Sequence, residues 1–249
     1  MARILSFIVF LFFQLISLAQ NPCLSAVDFK IVVLGSSTAA GAGVSTSDSA
    51  WVNRFRNHVQ SINPSNEVIN LAVGGYNTYK IMPTGFTPPV SRPDQDTLRN
   101  ITQAISLDAD AIIINMPSND VALNYSTAEQ LFNLDTIVQI ANAANIPIWI
   151  CTTQPRNFSN TSQLQQQWDI KDSIYALFSP NVIDFWSTIA LVDHSINPLY
   201  DSGDGVHLND SGHRILVNRV INAGILSALF EPAPSVDYQV ISNHVFLNT

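Results

Sequence analysis

Phe29-Lys30-Ile31-Val32-Val33-Leu34, running straight into Gly35-Ser36-Ser37-Thr38, is the stretch on which the fold turns. An unbroken apolar run that ends on small residues reads as a strand covered on both faces and released into a tight turn, the habit of parallel sheets. The pattern returns in Ala111-Ile112-Ile113-Ile114-Asn115. Strands are expected over 30–34, 67–72, 111–115, 147–152 and 182–185, with helical patterns between and after them at 50–62, 95–106, 127–144, 162–178 and 211–229. That alternation predicts one α/β domain, a three-layer α/β/α sandwich around a five-stranded, mostly parallel, flavodoxin-like sheet. In such folds chemistry gathers at the C-terminal ends of the strands.

Two segments fall outside the alternation. Residues 76–93 hold Pro83, Pro88, Pro89 and Pro93 with few apolar anchors, so a long loop beside the site is expected there. After Phe230, Pro232-Ala233-Pro234 stops the last helix, and 236–247 reads as an added edge strand, a linker or an unfolded tail.

The N-terminus has the form of an export signal. Arg3 is the only early charge, residues 4–18 are almost wholly apolar, and Ser17-Leu18-Ala19 offers small residues for cleavage after Ala19. The apolar stretch is shorter than the ~20 residues that span a bilayer comfortably, and no basic cluster follows it. The expected organisation is therefore a signal peptide at 1–19, a catalytic domain at 20–231 and a tail at 232–249. The mature protein would be secreted or periplasmic, with no stable membrane insertion. Lys and Arg number 11 against 19 Asp and Glu, and losing Arg3 widens the gap. Nucleic acid and anionic lipid are accordingly poor partners. Only 12% of the residues are charged, so Asn, Gln, Ser and Thr must build much of the surface.

Export would permit a Cys23–Cys151 disulfide. Geometry speaks against it, because Cys23 precedes the first strand while Cys151 lies late in the fourth. In a parallel sheet those ends are roughly 15 Å apart at ~3.3 Å per residue, beyond the ~7 Å that bridged Cα atoms allow.

Taken alone, Gly35-Ser36-Ser37-Thr38-Ala39-Ala40-Gly41 is ambiguous: a catalytic serine, a phosphate-wrapping loop and a plain tight turn all begin this way. A second stretch, Asp204-Gly205-Val206-His207, changes the balance. Of five histidines only His207 has an acid three positions earlier in a Gly-containing loop between the last strand and the last helix. Asp201 is a rival for the acid, and Asp193-His194 is a rival pair. Serine, imidazole and carboxylate at one sheet edge make a nucleophile, a base and an orienting acid for acyl transfer. Two further loops close strands at that edge, Asn70-Leu71-Ala72-Val73-Gly74-Gly75 and Pro117-Ser118-Asn119-Asp120. A backbone N–H beside glycine and an Asn amide are suitable donors for an oxyanion.

With these four stretches in this order, the chain resembles the SGNH (GDSL) hydrolase family of serine esterases and lipases over nearly the whole mature domain. The resemblance implies Ser37 as nucleophile and, through its backbone N–H, first oxyanion donor. It implies Gly75 and Asn119 as the other donors, and Asp204 and His207 as acid and base. Ser36 stands where an acid usually precedes the nucleophile, and Pro117 where the third block commonly has glycine; neither change removes a reacting group. It further implies an ester hydrolase with no metal and no cofactor. Short acyl groups such as acetyl on small molecules or polysaccharides are the expected substrates, with lipid acyl or thioester hydrolysis as the runner-up. Two non-enzymatic readings stand beside it, a flavodoxin-like module cradling phosphate on 36–43 and a carbohydrate-binding protein that keeps only the fold.

Overall fold

The structure, a computed structural model, describes residues 28–230, 238–241 and 244–247. The predicted signal peptide and Cys23 lie outside the described residues, and Cys151 is a free, buried thiol. Five strands form one sheet: β1 (Lys30–Gly35), β2 (Glu67–Asn70), β3 (Ala111–Asn115), β4 (Ile148–Cys151) and β5 (Val182–Ile183). Their order is β2-β1-β3-β4-β5, and each neighbouring pair is parallel. The direction of winding reverses between β1 and β3, the kind of crevice at which open α/β sheets bind ligands.

Among the described residues eight α-helices follow the chain: α1 (Ser37–Ala40), α2 (Trp51–Ile62), α3 (Ile101–Ser106), α4 (Asn119–Ala122), α5 (Thr127–Ala143), α6 (Thr161–Phe178), α7 (Asp210–Ile221) and α8 (Ile225–Phe230). The unbroken apolar runs are explained by two cores. Ile31, Val33, Ala111, Ile113 and Trp149 face Trp51, Phe55, Leu216, Val217 and Ile225 of α2, α7 and α8. Val32, Leu34, Ile112, Ile114 and Ile150 face Ile101, Leu134, Ile137, Ile170 and Ile174 of α3, α5 and α6. Alternate strand residues thus serve opposite layers. Each fully buried isoleucine contributes roughly 1.5–3 kcal/mol of transfer free energy.

Differences from expectation have local causes. The helix expected over 95–106 begins only at Ile101, because Asn100 caps it by accepting the Gln103 N–H at 3.0 Å. Asp96, inside the expected helix, instead takes the Leu98 N–H and the Tyr76 hydroxyl. The helix expected over 211–229 is two, parted by a turn in which Gly224 has φ 76°. The last strand stops after two residues because Asp184 turns the chain by accepting the Trp186 and Ser187 N–H groups. Residues 76–93 are better anchored than expected. A 3-10 turn at Thr78–Ile81 buries Tyr79 and Ile81, with Met82 buried just after it.

In the tail, β6 (Tyr238–Ile241) and β7 (His244–Leu247) pair as an antiparallel hairpin, a sheet of its own and not an added edge of the main one. Among the described residues, no helix is long and apolar enough to cross a membrane.

Candidate active site

The first wall of the site is the turn out of β1. A Cβ on Gly35 would lie 2.7 Å from the Ala39 Cβ and 2.9 Å from the Asn115 carbonyl oxygen, so only glycine lets α1 fold back against the end of β3. The Ser36 N–H donates to that same carbonyl at 3.1 Å. The two serines part company here: Ser36 is fully buried, whereas Ser37, the first residue of α1, is partly exposed. Among the described residues the Ser37 N–H donates to no protein acceptor.

The loop after β2 runs beside this turn. Val73 N–H donates to the Gly35 carbonyl, and the Asn70 amide donates to Ala39 O at 2.7 Å. A Cβ on Gly74 would lie 4.0 Å from the Ser37 Cβ. Gly75 follows with φ 82°, and its N–H also donates to no protein acceptor among the described residues.

The loop after β3 closes the floor. Asn119 opens α4, and its Nδ2 donates to Ser36 Oγ at 2.8 Å and to Tyr76 O at 2.9 Å. Asp120, 1% exposed, accepts from the Thr78 N–H and, at 2.6 Å, from the Thr78 hydroxyl. Thr78 Oγ1 in turn accepts from Asn133 Nδ2 at 2.8 Å. Burial pushes the Asp120 carboxyl up from 3.8 to about 6, against the lowering effect of the Thr78 bonds.

The fourth element is the loop before α7. One oxygen of Asp204, Oδ1, accepts from the Val206 N–H (2.9 Å), the His207 N–H (2.8 Å) and the Ser202 hydroxyl (3.1 Å). The other, Oδ2, lies 2.6 Å from His207 Nδ1. Burial alone would raise this carboxyl, but the bonds from the His207 backbone and imidazole and from Val206 outweigh it and hold Asp204 well below the usual carboxylate range. An ionised carboxylate only accepts, so Nδ1 carries the hydrogen, and in the neutral form of the ring the lone pair is on Nε2. No hydrogen bond joins Ser37 Oγ to His207 in this structure, among the described residues.

The rivals weighed from sequence are placed elsewhere. Asp201 Oδ1 accepts from the Gly203 and Gly205 N–H groups, shaping the loop without meeting the imidazole. Asp193 accepts from Ser195, and the His194 ring stacks on Trp168 with centroids 4.6 Å apart. His213 is buried: Nδ1 accepts the Trp51 N–H at 3.1 Å, and Nε2 faces Ala42 O at 3.2 Å. Burial lowers it to about 4, with the Ala42 bond pulling the other way.

Sequence reasoning missed the residues that join the first and last loops. Ser45 N–H and Oγ both donate to Asp210, at 2.8 and 2.5 Å. Asn209 caps α7 through Ser211 and Gly212 while its amide donates to Leu199 O and Asp201 O. Gly43, with φ 91°, passes so close that a Cβ there would lie 2.4 Å from Leu208 O and 2.8 Å from the His207 Cβ. An Asn directly before a helix start was a readable cap signal; the approach at Gly43 left no trace beyond a glycine.

The GDSL-like Lipase/Acylhydrolase family matches residues 33–215. Among solved structures, the chain is similar to a GDSL-like lipase from Bacteroides thetaiotaomicron, with TM-score 0.60 and 20% identity over 80% of this chain and 88% of that one. It is also similar to a psychrotrophic esterase from Pseudoalteromonas, with TM-score 0.56 and 14% identity over 78% and 95%. An acetyl xylan esterase aligns with TM-score 0.57 and 16% identity over 78% and 99%. No curated protein sequence matches. At such identities the structural likenesses speak for the fold, while the family match spans most of the chain. The chain belongs to the GDSL-like lipase/acylhydrolase family and is a carboxylic ester hydrolase.

Proposed function

We propose that the protein is an exported serine esterase that removes short acyl groups, acetyl above all, from small-molecule or polysaccharide esters. His207 Nε2 takes the proton of Ser37 Oγ as the oxygen attacks the ester carbonyl. The Ser37 N–H, the Gly75 N–H and the Asn119 amide hold the oxyanion. Collapse expels the alcohol, protonated by His207, and leaves an acyl-enzyme. Water, deprotonated by the same imidazole, then releases the acid and restores Ser37.

The observation that carries this reading is the division of labour in Asp204, whose one oxygen fixes the turn while the other takes Nδ1 at 2.6 Å. That leaves Nε2 free to act as a base. The exposure contrast supports Ser37 over Ser36, and the two N–H groups without acceptors among the described residues suit an incoming oxyanion. Catalytic hydrogen bonds are often long or poorly aligned in unliganded enzymes and tighten when substrate binds, so the absent Ser37–His207 bond is compatible with this mechanism. The polar, weakly charged composition and the apolar residues 4–18 support export and a neutral polymer substrate. Likeness to an acetyl xylan esterase points the same way.

A panel of nitrophenyl esters from acetyl to palmitoyl, together with acetylated xylan, tests the substrate, and Ser37→Ala tests the nucleophile. Turnover should be greatest with acetyl and fall by several orders of magnitude in the variant. Preference for palmitoyl, or a tenth of the activity surviving in Ser37→Ala, would reject the corresponding part. N-terminal sequencing of protein recovered from the medium or periplasm should begin at Gln20.

A further inference from the structure

We propose that Ser36, a residue with no assigned part in the reaction, is a positioning residue that holds the Asn119 amide in register for the oxyanion. The inference rests on the reading of Asn119 as an oxyanion donor and adds the group that aims it. Both amide hydrogens of Asn119 are engaged, one by Ser36 Oγ at 2.8 Å and one by Tyr76 O at 2.9 Å. The two acceptors differ in kind. Tyr76 O belongs to the loop beside Gly75, which meets the site, whereas Ser36 is fully buried and its own N–H is tied to Asn115 O at the end of β3. An arriving oxyanion draws on the hydrogen directed at Tyr76 O, while Ser36 keeps the other and fixes the rotation of the amide plane. A donor worth its full effect must sit within a narrow range of angle and distance. Without Ser36 Oγ the amide keeps only Tyr76 O, the partner it has to give up. A neutral hydroxyl does this without placing a second charge behind the oxyanion.

A double-mutant cycle tests the inference on the full-length mature enzyme. Ser36→Ala should lower kcat roughly 10-fold with KM changed less than about 2-fold, a part of the 100- to 1,000-fold effect of losing a donor outright. On an Asn119→Ala background the same Ser36→Ala change should have no further effect, because its target is gone. Ser36→Cys, which is slightly larger but keeps a weak acceptor at the same place, should fall between wild type and Ser36→Ala, so that a folding defect in one variant leaves the other to decide. Equal loss from Ser36→Ala on both backgrounds, or unchanged kcat in Ser36→Ala, overturns the proposal. An inert Asn119→Ala by itself overturns the donor reading beneath it, and that result is seen in the single variant alone.

Discussion

Replacing Asp120 with Asn should change the shape of the protein's stability against pH, and the change can be worked from two buried groups. Asp120 is held by Thr78 and raised from 3.8 to about 6, first by burial. Between those values the folded protein keeps a proton that the unfolded chain has released. Stability from this group is therefore fully present below pH 3.8 and lost as pH rises through about 6. Two units correspond to about 3 kcal/mol. His213 works in the opposite sense: it falls from 6.5 to about 4 because it is buried, so its contribution is present above pH 6.5 and lost as pH falls through about 4. That swing is again about 3 kcal/mol. In the wild type the two slopes oppose each other between pH 4 and 6.5, and the profile over that window is shallow. Asp120→Asn removes one of them, and the variant should lose about 3 kcal/mol on acidification from pH 6.5 to 4. For a domain of this size that moves the difference in Tm between variant and wild type by about 6–12 °C across the window. Any packing cost of the amide is the same at each pH and cancels in the difference. Scanning calorimetry in buffers of fixed ionic strength reads it directly. Parallel curves for the two proteins would show that Asp120 does not titrate in this range and would refute the reasoning.

Asp204→Asn keeps an oxygen for the Val206 and His207 N–H groups but removes the acceptor of Nδ1–H. It should leave the Tm nearly unchanged while kcat drops on the order of 10³- to 10⁴-fold through the wrong imidazole tautomer; a loss under 10-fold would show that the carboxylate does not orient the base. Gly43→Ala drives a methyl against Leu208 O and His207 at a left-handed φ, so we expect a loss of roughly 1–3 kcal/mol in urea denaturation. A fall in kcat/KM on a short-chain ester should accompany it as the His207 loop moves, and full activity would mean that the loop tolerates displacement.

The sheet was legible because its signal is local. Ile31 through Leu34 and Ile112 through Ile114 are buried whichever layer they face, so continuous hydrophobicity announces a central strand without any knowledge of its neighbours. Asp204 and His207 were legible for the same reason, since three residues of one turn bring carboxylate and imidazole together. Helix boundaries were less so, because a single side chain moves them: the Asn100 cap starts α3 six residues later than the apolar pattern suggested, and Gly224 divides what periodicity reads as one helix.

What periodicity cannot carry is the set of bonds that turns four loops into one site. Ser36 meets Asn119 across 83 positions, Thr78 meets Asp120 across 42 and Ser45 meets Asp210 across 165. Each pair consists of residues that look like ordinary loop polar groups where they stand, and each acquires a role only when the parallel sheet delivers both ends to the same edge. The proposed reacting groups can be inferred from residue type once the sheet is known, since a serine, a histidine and an acid at one sheet edge suit acyl transfer. The holding groups cannot, because serine, threonine and aspartate serve equally well as solvated turn residues. Asp120 shows the difference in energy: a solvated turn aspartate stays near 3.8, whereas this one, buried against Thr78, moves to about 6. The structure thus spends stability at neutral pH on an aspartate next to the proposed oxyanion donor, and in exchange the loops after β2 and β3 are locked together beside that donor.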